Sequence, residues 1–404
     1  MADTNLTSIA GALKQVYDDY VERQQNLKHR AMDEISKSLA KYSPGGAGFY
    51  GAIDTYGNES VGAINEEESF RTIDSENYVQ WKVAPKVLVG PIQFSGLVAA
   101  AADSDEESFV SVVVDALDLA KERLLKDENR QFFGYGTGAL TTAGVSAASN
   151  LTSFTVASVQ YLRDNMVVDI YHAGAITVTA IRISKVDRVN GIVYFNTSLG
   201  AALVTADTIY KQNIQTSAPS DGKEMMGLRG IVDDSTDLTT FQNIDSTANL
   251  IWRGRRIDAS SGNLTSDLLQ RLIDDVAVAG GEEPDKLIMH RRQRRKYLDL
   301  VVPQKRYMDG DMDTGFSKLE FNGMELWLDY DCQVDTVYAI KLDKIRKFEL
   351  EPMGMGKHDG SDTFLRAINQ DVFQAYWRHY CNFGTSKRNA HGKIVNLALP
   401  TGLA

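Results

Sequence analysis

Apolar residues recur along this chain with two different periods, and the changes of period mark its parts. Over residues 5–39, Leu6, Ile9, Leu13, Val16, Tyr20, Leu27 and Ala31 return at helical spacing, close to a heptad stripe. The spacing predicts an arm helix, capped by Thr4, that packs on its own body or on a neighbouring chain. The stripe lapses at Arg23 and Gln24, and "YSPGGAGFYG" ends the helix. Residues 46–100 change to strand-like runs, clearest in "SENYVQWKVAPKVLVGPIQFSG", where Val79, Trp81 and Val83 alternate with Gln80 and Lys82. Pro85 and Pro91 put this run at a sheet edge or in a ribbon. The segment carries too little apolar surface for a core of its own, and a lone two-stranded ribbon is marginal in water. It must lie on something else. If that is another copy of the chain, the protein is an assembly subunit.

The helical period then returns. Ser104 and Glu107 form a capping box, and Phe109, Val112, Val113, Ala116, Leu119, Ala120 and Leu124 form a buried stripe. Lys121, Arg123, Lys126 and Arg130 load the second half, as the macrodipole prefers, and Glu122 faces Lys126 at i,i+4. From Glu106 to Gln131 such a helix spans roughly 40 Å, a spine rather than an ordinary domain helix. "FFGYGTGALTTAG" follows it. A dinucleotide-binding loop follows a strand and opens a helix; this one follows a helix, with Ala139 where the third glycine belongs. No Gly-Lys pair is followed by Ser or Thr, as a P-loop needs. The stretch reads instead as backbone freedom past a helix end, with Gly134, Gly136 and Gly138 as a hinge.

Residues 155–215 alternate as strands, with turns at Ala173-Gly174 and Asn190-Gly191. They predict a small β-barrel or sandwich inserted between two other units. Beyond it, Leu268, Leu269, Leu272, Ile273 and Val276 predict an amphipathic helix ended by Gly280 or Gly281. A second helix runs from Arg291 to Val302, and short strands follow from Gly323. Helices and strands mix without a βαβ rhythm, which makes the fold class α+β.

Composition narrows the function. The chain has 404 residues, enough for two or three domains. Its net charge of −11 argues against a dedicated reader of nucleic acid, since phosphates would be repelled. A container for a polyanion tolerates that sign. No stretch has the length of a membrane span, and the first residues predict no secretory signal. Cys332 and Cys381 form neither a disulfide framework nor a metal-ligand spacing.

Candidate chemistry is sparse. His379 and Cys381 flank Tyr380 on a strand, so both side chains point to one face, but two ligands do not make a zinc site and ordinary packing is expected. In "HRRQRRKYLDLV", Arg291, Arg294 and Arg295 share a helix face, either a contact patch for phosphates or acidic neighbours or a solvated surface. Asp309, Asp311, Asp313 and Glu320 match places one, three, five and twelve of a calcium loop, but Thr314 stands where its glycine belongs. No hydrolase or metalloprotease motif occurs. No cofactor, no catalytic residue and no enzyme activity are expected.

The order of these parts resembles that of tailed-bacteriophage major capsid proteins of the Hong Kong 97 fold. The residues that carry the likeness are "YVQWKVAPKVLVGPIQFSG", the long helix leading into "RQFFGYGTGALTTAG", "LLQRLIDDVAVAGGEEPDKLIMHRRQRRKYLDL", "FNGMELWLDYDCQVDTVYAIKLDKIRKFEL" and "DVFQAYWRHYCNFGTSKRNAHGKIVNL". The resemblance implies an arm helix at 1–45 and an extended loop at 46–103. It implies a peripheral domain at 104–133 and 336–404, an axial domain at 134–154 and 216–335, and a barrel insertion at 155–215. It also implies that loop residues Phe70, Tyr78, Val79, Trp81, Val83 and Val87 lie over an adjacent subunit. The expected function is a structural one, self-assembly into the icosahedral shell that encloses double-stranded DNA. The expected partners are its own hexamers and pentamers, portal, scaffolding and decoration proteins, and DNA held non-specifically, with no membrane. Synthesis in the host bacterial cytoplasm and residence in the virion capsid complete the expectation. Two other readings stay open: an encapsulin-like nanocompartment shell, and a calcium-dependent β-rich binding protein built on 155–215 and Asp309–Glu320.

Overall fold

In a computed structural model of the chain, the residues described are 30–36, 39–41, 48–57, 59–73, 75–95, 106–146, 149–172, 175–205, 207–214, 222–305, 319–356, 365–366 and 371–399. The charged stretch after residue 105 forms one helix, Glu106–Phe132, of 27 residues. It lies on strands Lys86–Ser95 and Val372–Thr385. Its side chains are described from Ala116 onward, so the capping box at Ser104 and Glu107 and the side chains of Phe109, Val112 and Val113 lie outside that part. Of the rest of the expected buried stripe, Leu124 is buried and Ala120 half-buried, while Ala116 and Leu119 are exposed. The last two turns depart from expectation. Lys126, Glu128, Asn129, Arg130 and Gln131 are all buried. Lys126 turns to Asp331 at 2.7 Å rather than to Glu122.

The sheet beneath this helix has five strands. Val372–Thr385, 14 residues long, is its centre. It pairs antiparallel with Lys86–Ser95 on one side and with Ile345–Met355 on the other. Leu39–Lys41 adds a parallel strand to Ile345–Met355, and Leu365–Arg366, the fifth strand, pairs antiparallel with the start of Val372–Thr385. The expected arm helix therefore ends earlier than residue 39. Its described part is Arg30–Ser36, and backbone pairing with Lys347–Glu349 claims the next residues as strand. Ala31, Met32 and Ile35 are buried in the main core; residues 1–29 lie outside the described residues.

The run read as one strand signal is two strands in two sheets. Among the described residues Asn77–Val83 pairs with Phe49–Tyr56 alone, as a two-stranded ribbon, while Lys86–Ser95 joins the main sheet. The break falls at Ala84-Pro85, where the Ala84 carbonyl accepts from Asn382 Nδ2 at 2.7 Å.

A second sheet of six strands runs in the order Arg255–Asp258, Gly392–Val395, Val337–Ile340, Lys286–His290, Met324–Asp329, Glu320–Phe321. Helix Ser266–Gly280 packs on one end of it. Thr265 Oγ1 caps that helix by accepting from the Leu268 N–H; Gly281 closes it at φ 68, one of the two glycines the sequence predicted. Leu269, Leu272, Ile273 and Val276 are buried and Leu268 is half-buried. The boundary expected at residue 336 is corrected here, because it cuts through this sheet. Val337–Ile340 bonds directly to Lys286–His290, and Gly392–Val395 bonds to Val337–Ile340. Val337–Ile340 is apolar and wholly buried, as the middle of a covered sheet requires.

A third sheet, also of six strands, forms the β-rich unit, in the order Ala139–Thr142, Thr208–Lys211, Val167–His172, Ala175–Asp187, Ile192–Phe195, Ser153–Thr155. Its first and last strands meet through a bridge between Ala143 and Val156, so the sheet closes on itself around Leu140, Phe154, Val168, Ile170, Ile183 and Ile209. The unit starts at Ala139 rather than at 155. An edge strand needs a partner, and Ala139–Thr142 is the partner of Thr208–Lys211. The Asn190-Gly191 turn is present, with Gly191 at φ 68 and the Asp187 carboxylate accepting from the Val189 and Asn190 N–H groups. Residues 173–174 lie outside the described residues.

Candidate assembly surfaces

The ribbon changes character along its length. At its base, Trp81 and Val83 are 9% and 3% exposed. Trp81 lies edge-on to Phe348 with centroids 5.9 Å apart, and Phe49 meets the same ring at 4.9 Å. Trp81 pairs with Gly51 across the strands. A Cβ on Gly51 would stand 2.3 Å from the indole, so only glycine lets the ring lie down there. The Lys82 N–H donates to the Gln242 carbonyl at 2.9 Å, tying the base to the body. Beyond Tyr56 the described residues make no helix or strand until Asn77. Val61, Phe70 and Ile73 are 85%, 86% and 80% exposed. Ile64 and Tyr78 are exposed too.

The expected loop contacts therefore divide. Phe70, Tyr78 and Val87 face outward, while Trp81 and Val83 belong to the chain's own core, with Val79 packed half-buried against it. The pleat is the reason: Val79, Trp81 and Val83 share one face, and near the base that face meets Phe348. Val89 lies two residues beyond Val87 on the same exposed face of the main-sheet strand Lys86–Ser95.

The glycine corner is buried rather than free. Gly136 and Gly138 take φ of 87° and 78°, which favours glycine; Gly134 does not share that backbone. A Cβ on Gly138 would fall 2.3 Å from Ile214 Cγ2. Across the corner, a Cβ on Gly227 would fall 2.3 Å from the Phe132 carbonyl oxygen. Arg130 forms an ion pair with Glu224, the Met225 N–H donates to Gln131 Oε1 at 3.0 Å, and Gln333 Nε2 donates to the Phe133 carbonyl. Any adjustment of angle here must carry this packed block with it, which narrows the hinge expected from three free glycines.

Of the basic patch, Arg291 and Arg295 are exposed and Arg294 is half-buried. Arg291 stacks on Tyr330 at 4.7 Å. The inward face of this helix is set by Gln293 and Tyr297, both buried. Gln293 Nε2 donates to the Val334 and Ala398 carbonyls, and the Tyr297 hydroxyl donates to the Glu320 carbonyl. Asp309, Asp311 and Asp313 lie outside the described residues. Glu320 is exposed on a short strand.

His379 and Cys381 do share a face, and the sequence reading missed what faces them. Glu128, from the long helix, is 0% exposed. His379 Nδ1 lies 3.2 Å from Glu128 Oε2, and His379 Nε2 lies 2.7 Å from Glu349 Oε1. Lys347 Nζ reaches Glu128 Oε1 at 2.7 Å. Burial alone would raise Glu128, but the His379 hydrogen bond and the Lys347 charge outweigh it and hold its carboxyl at about 2. Burial pushes the Cys381 thiol up.

Two more buried cations tie the chain around Gly392–Val395 to residues 230–246. Arg388 donates to the Ile231 and Gly230 carbonyls and to Ser246 Oγ. Lys393 Nζ meets Asp233 at 2.8 Å and Asp237 at 3.2 Å. The cavity beside Lys393, lined by Arg229, Asp237 and Tyr338, holds about 100 Å³, well under the ~300 Å³ at which ligand pockets begin.

No family model and no curated protein matches the sequence. Solved structures do match its shape. A chain of the cyanophage A-1(L) capsid asymmetric unit superposes with a TM-score of 0.62 at 10% identity, over 98% of this chain and 99% of that one. The capsid of a native GTA (gene transfer agent) particle gives 0.51 at 9% identity, over 98% and 100%. A chain of Mycobacterium phage Bobi gives 0.51 at 10% identity, over 98% and 99%. The chain has the mixed α+β fold of phage capsid proteins, as the resemblance implied.

Proposed function

We propose that this chain is a major capsid protein of a tailed bacteriophage, whose copies close into the icosahedral shell around a double-stranded DNA genome. The observation that carries this reading is the ribbon tip, where Val61, Phe70 and Ile73 stand in solvent on a segment with no core of its own. Exposed apolar groups in one contiguous segment mark an interaction surface, and the capsid fold supplies the partner: a second copy. In this reading the ribbon is the extended loop and the long helix is the spine. The sheet of Val372–Thr385 is the peripheral domain, the sheet of Lys286–His290 is the axial domain, and the closed β-unit is an insertion.

Pentamers and hexamers of the chain are the repeating unit, and many weak repeated contacts make closure cooperative. Portal, scaffolding and decoration proteins are further partners, and the packaged DNA is held without sequence preference. The role is structural, with no catalytic step. Synthesis takes place in the host cytoplasm and the destination is the virion. Expression of the full chain in bacteria, followed by light scattering and electron microscopy, tests this. Closed particles of uniform diameter, or rings of five and six chains, are expected. A chain that stays monomeric at every concentration overturns the proposal. Particles that enclose a protein cargo and no nucleic acid overturn the phage assignment and leave the shell.

A further inference from the structure

The cluster of Glu128, His379 and Cys381 has the dimensions of a metal site. His379 Nδ1 is 3.2 Å from the Glu128 carboxylate and 3.4 Å from Cys381 Sγ; Sγ is 3.6 Å from Glu128 Oε1. A tetrahedral zinc ion with ordinary bond lengths sets its N, O and S ligands about 3.3 to 3.6 Å apart. His379 Nδ1 therefore stands at zinc-ligand separations from both Glu128 Oε2 and Cys381 Sγ. All three residues are buried, and their ligand atoms lie within 4.8 Å of one another.

The surroundings point the same way. Both ring nitrogens of His379 face carboxylates, Nδ1 toward Glu128 and Nε2 toward Glu349 at 2.7 Å. A neutral imidazole has one N–H and can satisfy only one of them. An imidazolium would donate to both; with a single N–H donated from Nε2 to Glu349, Nδ1 presents a lone pair to the Glu128 carboxylate, and a cation between them resolves the conflict. A ligand histidine that donates its other nitrogen to a carboxylate is the usual outer shell of bound zinc. Met225 Sδ, a soft sulfur, lies 3.3 Å from Cys381 Sγ.

We propose that Glu128, His379 and Cys381 form a structural zinc site that ties the last turns of the long helix to the central strand of the main sheet. Binding releases the Cys381 thiol proton to solvent. The charges then sum to zero: two positive from zinc and one from Lys347, against one negative each from Cys381, Glu128 and Glu349. Lys347 stays on Glu128 Oε1, leaving Oε2 for the metal. The two strand ligands alternate on one face, and Glu128 comes from the helix that crosses them, so the ion joins two elements more than 250 residues apart.

Elemental analysis of the untagged full chain, refolded with equimolar Zn²⁺ and freed of loose metal, tests the site. One zinc per chain is expected. His379→Gln and Cys381→Ala should lose it, and Glu349→Gln should weaken it about 10- to 100-fold while keeping all three ligands. Replacement by Co²⁺ should give a thiolate-to-cobalt charge-transfer band, absent in Cys381→Ala. Should those variants not fold, the wild-type cobalt spectrum decides alone. No retained zinc, zinc unchanged in Cys381→Ala, copper or iron in place of zinc, or a cobalt spectrum without the band overturns the proposal.

Discussion

The ribbon and the helix–sheet junction invert each other. The ribbon tip puts Val61, Phe70 and Ile73 into water, while the junction buries Lys126, Glu128, Arg130, Lys347 and His379. Each arrangement costs free energy in an isolated chain: exposed apolar area forgoes about 25 cal/mol per Å², and an unpaired buried charge costs several kcal/mol. The junction resolves its cost internally, because its charges find partners within the chain. The tip does not, since nothing among the described residues covers Phe70. A region that satisfies itself is a rigid hub; a region left unsatisfied is waiting for a neighbour.

Removing the tip gives the largest contrast. Excision of residues 57–76, joining Tyr56 to Asn77 through a short turn, should abolish particles while leaving the circular dichroism spectrum and melting temperature of the subunit unchanged. An unfolded product would mean that the tip serves its own chain. Next comes the ribbon base. Trp81→Ala empties a buried site against Phe348 and should cost the subunit roughly 3–5 kcal/mol in urea unfolding. A loss under about 1 kcal/mol would place Trp81 with the tip instead.

The packed body of the chain should also carry a pH signature that the tip lacks. His391 is fully buried, accepts from the Lys341 N–H at Nδ1, and meets Thr385 Oγ1 at Nε2. Burial, with a smaller contribution from the Arg388 charge, lowers its pKa from 6.5 to about 3. The folded value lies below the unfolded one, so the unfolded chain binds the proton first as pH falls. Stability should drop between about 6.5 and about 3, by at most ~1.4 kcal/mol per pH unit for this one group, and His391→Gln should flatten that slope. Urea titrations of the tip-excised subunit across the window measure it; an unchanged slope would contradict the assignment. The smallest effect on the subunit belongs to Phe70→Ser, which should leave its stability within about 0.5 kcal/mol yet raise the concentration needed for assembly.

The sequence made the elements with strong periods legible. The long helix, the capped helix Ser266–Gly280, the Asn190-Gly191 hairpin and the thin ribbon all follow from apolar spacing and turn chemistry. The ribbon's division into core-facing base and exposed tip did not, because alternation gives faces and not what each face meets. The sheet containing both Arg255–Asp258 and Gly392–Val395 was hidden too, since strands far apart in sequence carry no mark of pairing. The buried charges were the least legible part. In the sequence the macrodipole accounts for Lys126 and Arg130, and Glu128 carries no signal; only their partners, Asp331, Glu224 and Lys347, reveal them as interior. The shared face of His379 and Cys381 was the one available hint, and it lacked its third member.

The most direct measurement of the central claim is a photo-crosslink from position 70. Chains carrying a photoreactive phenylalanine analogue in place of Phe70 are mixed with isotope-labelled wild-type chains, assembled, illuminated and digested. The account predicts mixed-isotope peptides joining position 70 to a neighbouring subunit. Adducts confined to the same chain would contradict it.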